Sequence, residues 1–124
     1  MTLGTETSLF HRALIAAGAV FAGLAVALSA YASHSADGAA RTSLYVASAL
    51  GLAHGIALCA LVPQVVRRLG LIALAGLMLG TLLFSGGIVF LHFAGFSLGL
   101  TPMGGSLMIL SWLLYAVDAM KRSR

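Results

Sequence analysis

His54 stands in the middle of an uncharged apolar run, Leu44 to Val66, and an ionisable ring at that place is the chain's strongest hint of chemistry. In a helix it lies roughly 15 Å from Leu44, near the centre of a bilayer. Burial there is costly and implies a function or a buried partner. An imidazole so placed can relay protons, ligate a metal or cofactor, or stay neutral on a backbone carbonyl or on Ser85 or Thr81 across the molecule. His34 and His92 both fall near the external, C-terminal ends of their apolar runs, and two imidazoles at similar depth could ligate haem or a metal. Metal sites ordinarily draw three or four ligands, however, and no two histidines stand one turn apart on one helix. No metal site and no cofactor are expected, with His54 and His34 the weak cofactor-binding candidates.

Other chemistries find less support. Glu6, Asp37 and Asp118 lie in separate regions, so paired-carboxylate catalysis has no pair to use. Ser85 has no His–Asp context, and no phosphate-cradling loop occurs. Met78, Met103 and Met108 suit irregular apolar gaps more than copper. Trp112, Tyr115 and Asp118 recur every third residue of the last run, and Asp118 is expected to pair locally with Lys121 or Arg122. His11, beside Arg12, reads as an interfacial anchor. A non-enzymatic protein is the expectation.

The elements that must position these residues follow from composition. Of 124 residues, 60% are hydrophobic and 8% charged, too few polar groups to coat a soluble domain. The +4 net charge sits at segment ends and forms no basic stripe, so nucleic acid is excluded and anionic headgroups are the expected counter-charge. Cys59 is the only cysteine, which rules out an intrachain disulfide.

Four runs, at about 11–33, 44–66, 69–93 and 102–120, approach the roughly 20 residues that cross hydrocarbon. The expected fold is all-α, an integral membrane four-helix bundle over residues 1–124, with HSADGAARTS, RRLG and AGFSLGLTP as short connectors. Arg12, Arg67, Arg68, Lys121, Arg122 and Arg124 fall on one side and Arg41 alone on the other, which predicts both termini in the cytoplasm. Ala30 and Ala32 could mark a signal-peptidase site. The weak basic n-region and long apolar stretch argue that the first span is retained.

Small residues at four-residue spacing mark the faces on which helices can close up: Gly18, Ala22, Ala25 and Ser29; Ala47, Gly51, Gly55 and Cys59; Gly76 and Gly80. Fifteen glycines, each costing roughly 1 kcal/mol against Ala in a soluble helix, imply compensation by contact.

GTLLFSGGIVFL, Gly80 to Leu91, and TPMGGSLMILSWLLYAVDA, Thr101 to Ala119, resemble the domain of unknown function 423 family, the small YgdD-like bacterial inner-membrane proteins. The resemblance rests on Gly80, Thr81, Phe84, Ser85, Gly86, Thr101, Pro102, Gly104, Gly105 and Trp112, with His34 closing the first span and His54 inside the second. Ser29 and Ser33 stand where the family tends to carry glycine, and Leu50–Gly51 where it carries an aromatic–glutamine pair. The resemblance implies four retained spans, a bacterial inner-membrane location and no known reaction. The functional expectation is a scaffold or accessory subunit that packs into a homo-oligomer or a larger membrane complex. The alternative is a small carrier or cofactor-binding protein centred on His54.

Overall fold

The computed structural model describes residues 2–122, with side chains from Leu9 onward; Glu6, weighed above as a carboxylate, and Arg124, counted in the charge distribution, lie outside the described side chains. The described residues form four α-helices and one short 3-10 turn: α1 Thr2–Ser35, α2 Gly38–Leu61, the 3-10 turn Val62–Gln64, α3 Arg68–Ala94 and α4 Leu100–Lys121. No strand is present among them. Four stretches, Leu9–Ser35, Gly38–Gln64, Arg68–Ala94 and Leu100–Lys121, are long and apolar enough to cross a membrane.

Helix ends differ from the expected spans for local reasons. The first connector shrinks to Ala36 and Asp37, because Arg41 folds back over the end of α1. Its guanidinium donates to the carbonyls of Ala36 (2.7 Å), Ala32 (3.2 Å) and Ser33 (3.3 Å) and pairs with Asp37 at 3.3 Å. A cation on orphan C-terminal carbonyls satisfies them and opposes the helix dipole. Residues 38–43, expected as loop, are thereby helical.

At the other end of α2, the expected span ran through Pro63 to Val66. Pro63 has no N–H to continue the ladder, so the helix tightens into Val62–Gln64 and the chain turns out at Val65 (ψ 128°). At the start of α3 the helix opens at Arg68, one residue before the expected span, so most of the short RRLG connector is helical. The α3–α4 connector reverses at Gly95 (φ 82°) and Gly99 (φ 71°), left-handed conformations that favour glycine. Pro102 then lies in the first turn of α4, where its missing N–H costs nothing.

The helices pair mainly as consecutive hairpins, α1 with α2 and α3 with α4, joined through α2 and α3. Glycine sets both hairpin contacts. A Cβ built on Gly55 would lie 2.6 Å from the Gly18 carbonyl, and one on Gly18 would lie 2.7 Å from the Gly55 carbonyl. Gly80 and Gly104 meet in the same reciprocal way, at 2.9 and 2.6 Å from each other's carbonyls. Close backbone approach of this kind is how helices gain dispersion contacts without a hydrophobic drive.

Where α2 meets α3 the core is larger: Leu58, Leu74 and Leu77, with Leu14, Val62, Val65 and Met108, form one buried cluster. A second, smaller cluster of Ala32, Ala36 and Leu44 sits near the first connector. The outer faces remain apolar, with Val20, Leu24, Ile72, Leu82, Ile109 and Leu113 all exposed.

Candidate functional site

His54 is buried on α2, and its partner is Trp112 of α4, not Ser85 or Thr81. The Trp112 indole N–H donates to His54 Nε2 at 3.0 Å, and His54 Nδ1–H donates to the Leu50 carbonyl one turn back at 2.8 Å. The two bonds together define the neutral tautomer, with the proton on Nδ1, because an indole only donates and a carbonyl only accepts. Both ring nitrogens are thus engaged, and a metal or cofactor could reach Nε2 only after Trp112 withdrew. With the helix starting at Gly38, His54 lies three residues, roughly 4.5 Å, past the midpoint of Gly38–Gln64.

The hydroxyls expected beside it serve backbone instead. Thr81 is buried and donates to its own helix at Leu77 (2.7 Å), while Ser85 crosses from α3 to donate to the Ala47 carbonyl of α2 (2.8 Å). Ser85 is therefore a strut between helices. Ser48 Oγ is buried without a hydrogen-bond partner.

A line of aromatic and charged groups descends α4 from Trp112. Trp112 and Tyr115 meet edge to face at 6.0 Å, and the Arg122 guanidinium lies 5.3 Å over the Tyr115 ring. Asp118 is fully buried; Arg122 pairs with it locally at 3.2 Å, as expected. The second partner is Arg67, at 3.8 Å, from the segment that leads into α3. The carboxylate also lies against Gly70, in the first turn of α3, where the helix dipole favours negative charge. Interaction with Tyr115 first, and Asp118 second, holds the Arg122 guanidinium above its ordinary pKa. This corner ties the end of α4 to the start of α3, and His11 ties α1 to it by donating to the Val65 carbonyl at 2.8 Å.

The remaining candidates lie apart. His34 is exposed, and His92 is hydrogen-bonded through Nε2 to the Tyr31 hydroxyl at 3.1 Å. Among the described residues no group of three or more His, Cys, Asp or Glu side chains could hold a metal ion. The motif residues from the resemblance divide by role. Gly80, Gly104 and Phe84 meet at the α3–α4 contact, with Gly105 against the Phe84 ring, and Thr101 abuts Gly87. Gly86 is exposed, and the Pro102 carbonyl accepts from Ser106 at 2.9 Å.

Sequence reasoning missed the His54–Trp112 bond, the Tyr31–His92 bond and the Arg67–Asp118 pair. The signal for the first was present, since Trp112 is the only tryptophan and carries a donor that needs a buried acceptor. No family model matches the sequence, no curated protein matches it, and no solved structure matches the fold.

Proposed function

We propose that the chain is a YgdD-like small protein of the bacterial inner membrane, crossing the bilayer four times with both termini cytoplasmic. There it acts as a non-enzymatic scaffold or accessory subunit that packs against further copies or a larger complex. One observation carries this reading. His54, Thr81 and Ser85, the groups best placed for chemistry in the interior, are all engaged by the protein, while the outer helix faces present exposed apolar side chains.

The charge distribution supports the orientation. The α2–α3 connector, the His11 end of α1 and the Asp118 end of α4 meet at the basic end, leaving Arg41 at the other. That is the asymmetry the positive-inside rule describes.

Crosslinking in native membranes followed by mass spectrometry tests the role, together with purification in several mild detergents. The expected result is a stoichiometric partner or a defined oligomer; a clean monomer with no recurrent neighbour overturns it. Tags at the two chain ends should both be shielded from the outside. The carrier or cofactor alternative, centred on His54, predicts instead an optical band or bound metal in the purified protein and a phenotype for His54→Ala.

A further inference from the structure

We infer that the apolar groove between α1 and α3 seats one straight acyl chain of a membrane phospholipid. The groove has a volume of about 470 Å³, a floor at Ala47 and Gly51 of α2, and walls that run from Phe21 to Tyr31 on α1 and from Thr81 to Phe93 on α3. It exists because α1 and α3 touch only sparsely while each is held tightly in its own hairpin.

Its dimensions select the occupant. At 1.5 Å per residue those walls are roughly 15 to 18 Å long, so the volume corresponds to a mean cross-section of about 30 Å². A helix about 10 Å across has a section of roughly 80 Å², so a partner helix lies over such a groove and not inside it. A hydrocarbon chain with carbon contacts near 4 Å is about 5 Å wide, roughly 20 Å² in section, and fits with little room for branches. An extended chain advances about 1.2 Å per bond, so 13 to 15 bonds span the walls.

The groove's polar groups also point to the chain and not the headgroup as what is read. The Thr81 and Ser85 hydroxyls are donated to the carbonyls of Leu77 and Ala47. Arg41, the one Lys or Arg at this end, is committed to the carbonyls ending α1. The groove ends beside the hydrogen-bonded Tyr31 and His92, a polar rim at which an ester region can lie. A neighbouring depression shares Gly86, Val89 and Phe93 and gives a two-chain lipid a place for its other chain.

The inference rests on the membrane assignment above but not on the scaffold role. The full chain is reconstituted in vesicles of phosphatidylethanolamine and phosphatidylglycerol carrying a trace of phosphatidylcholine with a photoreactive mid-chain group, and labelled positions are mapped by mass spectrometry. Labels should concentrate on residues 24–31 and 82–93, and should be unchanged when the probe's headgroup is replaced by phosphatidylglycerol. A Cβ on Gly86 has only Leu82 Cδ1 nearby, at 4.0 Å, so Gly86→Leu plugs the groove without displacing backbone and should cut groove labelling by about fivefold or more. Ala27→Phe, on the α1 wall, should do the same. Gly23→Leu, where a Cβ meets nothing within 4 Å, should leave labelling unchanged.

Labelling spread evenly over Ile72, Ile109 and Leu113 would mean annular lipid only and overturn the inference. So would labelling indifferent to both plugs, or chain-to-chain crosslinks in the groove. A protein that fails to remain with the vesicles would refute the membrane assignment instead, which separates the two failures.

Discussion

Replacing Gly55 by alanine adds one carbon where the backbones of α1 and α2 are closest. That carbon would lie 2.6 Å from the Gly18 carbonyl oxygen and 2.9 Å from the Ala22 nitrogen, whereas ordinary contact begins near 3.4 Å. Both obstacles are backbone, so no side chain can swing aside, and the helices must part by about 0.8 Å locally. A gap of that size forfeits a quarter to a half of each affected dispersion contact. Overpacking of this kind costs about 1 to 3 kcal/mol, of which alanine's better helix propensity returns up to about 1 kcal/mol. The net expectation is a loss of up to about 2 kcal/mol, or as much as roughly 8 °C in melting temperature for a chain of this size, and about 1 to 3 kcal/mol relative to a glycine-to-alanine change that meets no obstacle. Cys59 supplies the assay. It is the only thiol, one turn beyond Gly55, with its Sγ donating to the Ile15 carbonyl at 3.5 Å. A thiol-reactive fluorophore therefore reads the opening of this hairpin directly. Gly23→Ala is the control, since its added carbon meets nothing within 4 Å; it should match or exceed the parent. A Gly55→Ala protein as stable as the Gly23→Ala protein would refute the close-contact argument.

Trp112→Phe keeps an aromatic ring but leaves His54 Nε2 without its donor, and should cost about 1 kcal/mol; a double-mutant cycle with His54→Leu should show positive coupling, and simple additivity would refute the bond. Asp118→Asn leaves Arg67 and Arg122 facing each other without a carboxylate and should cost about 1 to 3 kcal/mol, below the fully buried figure because both guanidiniums are partly exposed and screened. Thermal melts should place this loss above that of Arg67→Gln alone. The raised pKa of Arg122 means its contribution is complete below the ordinary arginine value and is lost only as pH climbs through the raised one. The stability difference between Arg122→Gln and the parent should therefore be flat from about pH 7 to about pH 9.

Helix number and rough position were readable because apolar run length is a local property of the chain, and so were the faces marked by Gly18, Gly55 and Gly80. Which face meets which was not, since four-residue spacing names a contact surface without naming its partner. The same gap hid His54's bond to Trp112, which depends on α2 and α4 lying within reach at one depth. Of the partners expected for His54, a backbone carbonyl is found, that of Leu50, whereas Ser85 and Thr81 each donate to a backbone carbonyl nearer to hand. The start of α2 misled for another reason. GAARTS is polar and small enough to read as loop, and only the fold shows Arg41 spent on the carbonyls of α1, which shortens the turn to two residues.

Two kinds of seam hold the four helices, and their difference explains why the molecule has a groove at all. In each hairpin, glycine against carbonyl brings the helix axes as close as backbone allows. Between hairpins, Leu58, Leu74 and Leu77 act as spacers at the basic end, and Ser85 on the Ala47 carbonyl holds α2 against α3 further along. With α1 drawn tightly onto α2 at Gly18 and Gly55, it cannot also close on α3, and the small floor at Ala47 and Gly51 leaves the space between them unfilled. Enlarging that floor would fill the groove from below, but a Cβ on Gly51 already touches Ala25 at 3.6 Å and Ser85 at 3.8 Å. Anything larger than alanine there would push on the strut itself. The groove is thus a geometric consequence of how tightly the hairpins are made, and relaxing the Gly18–Gly55 contact should change its width as well as the stability of the pair.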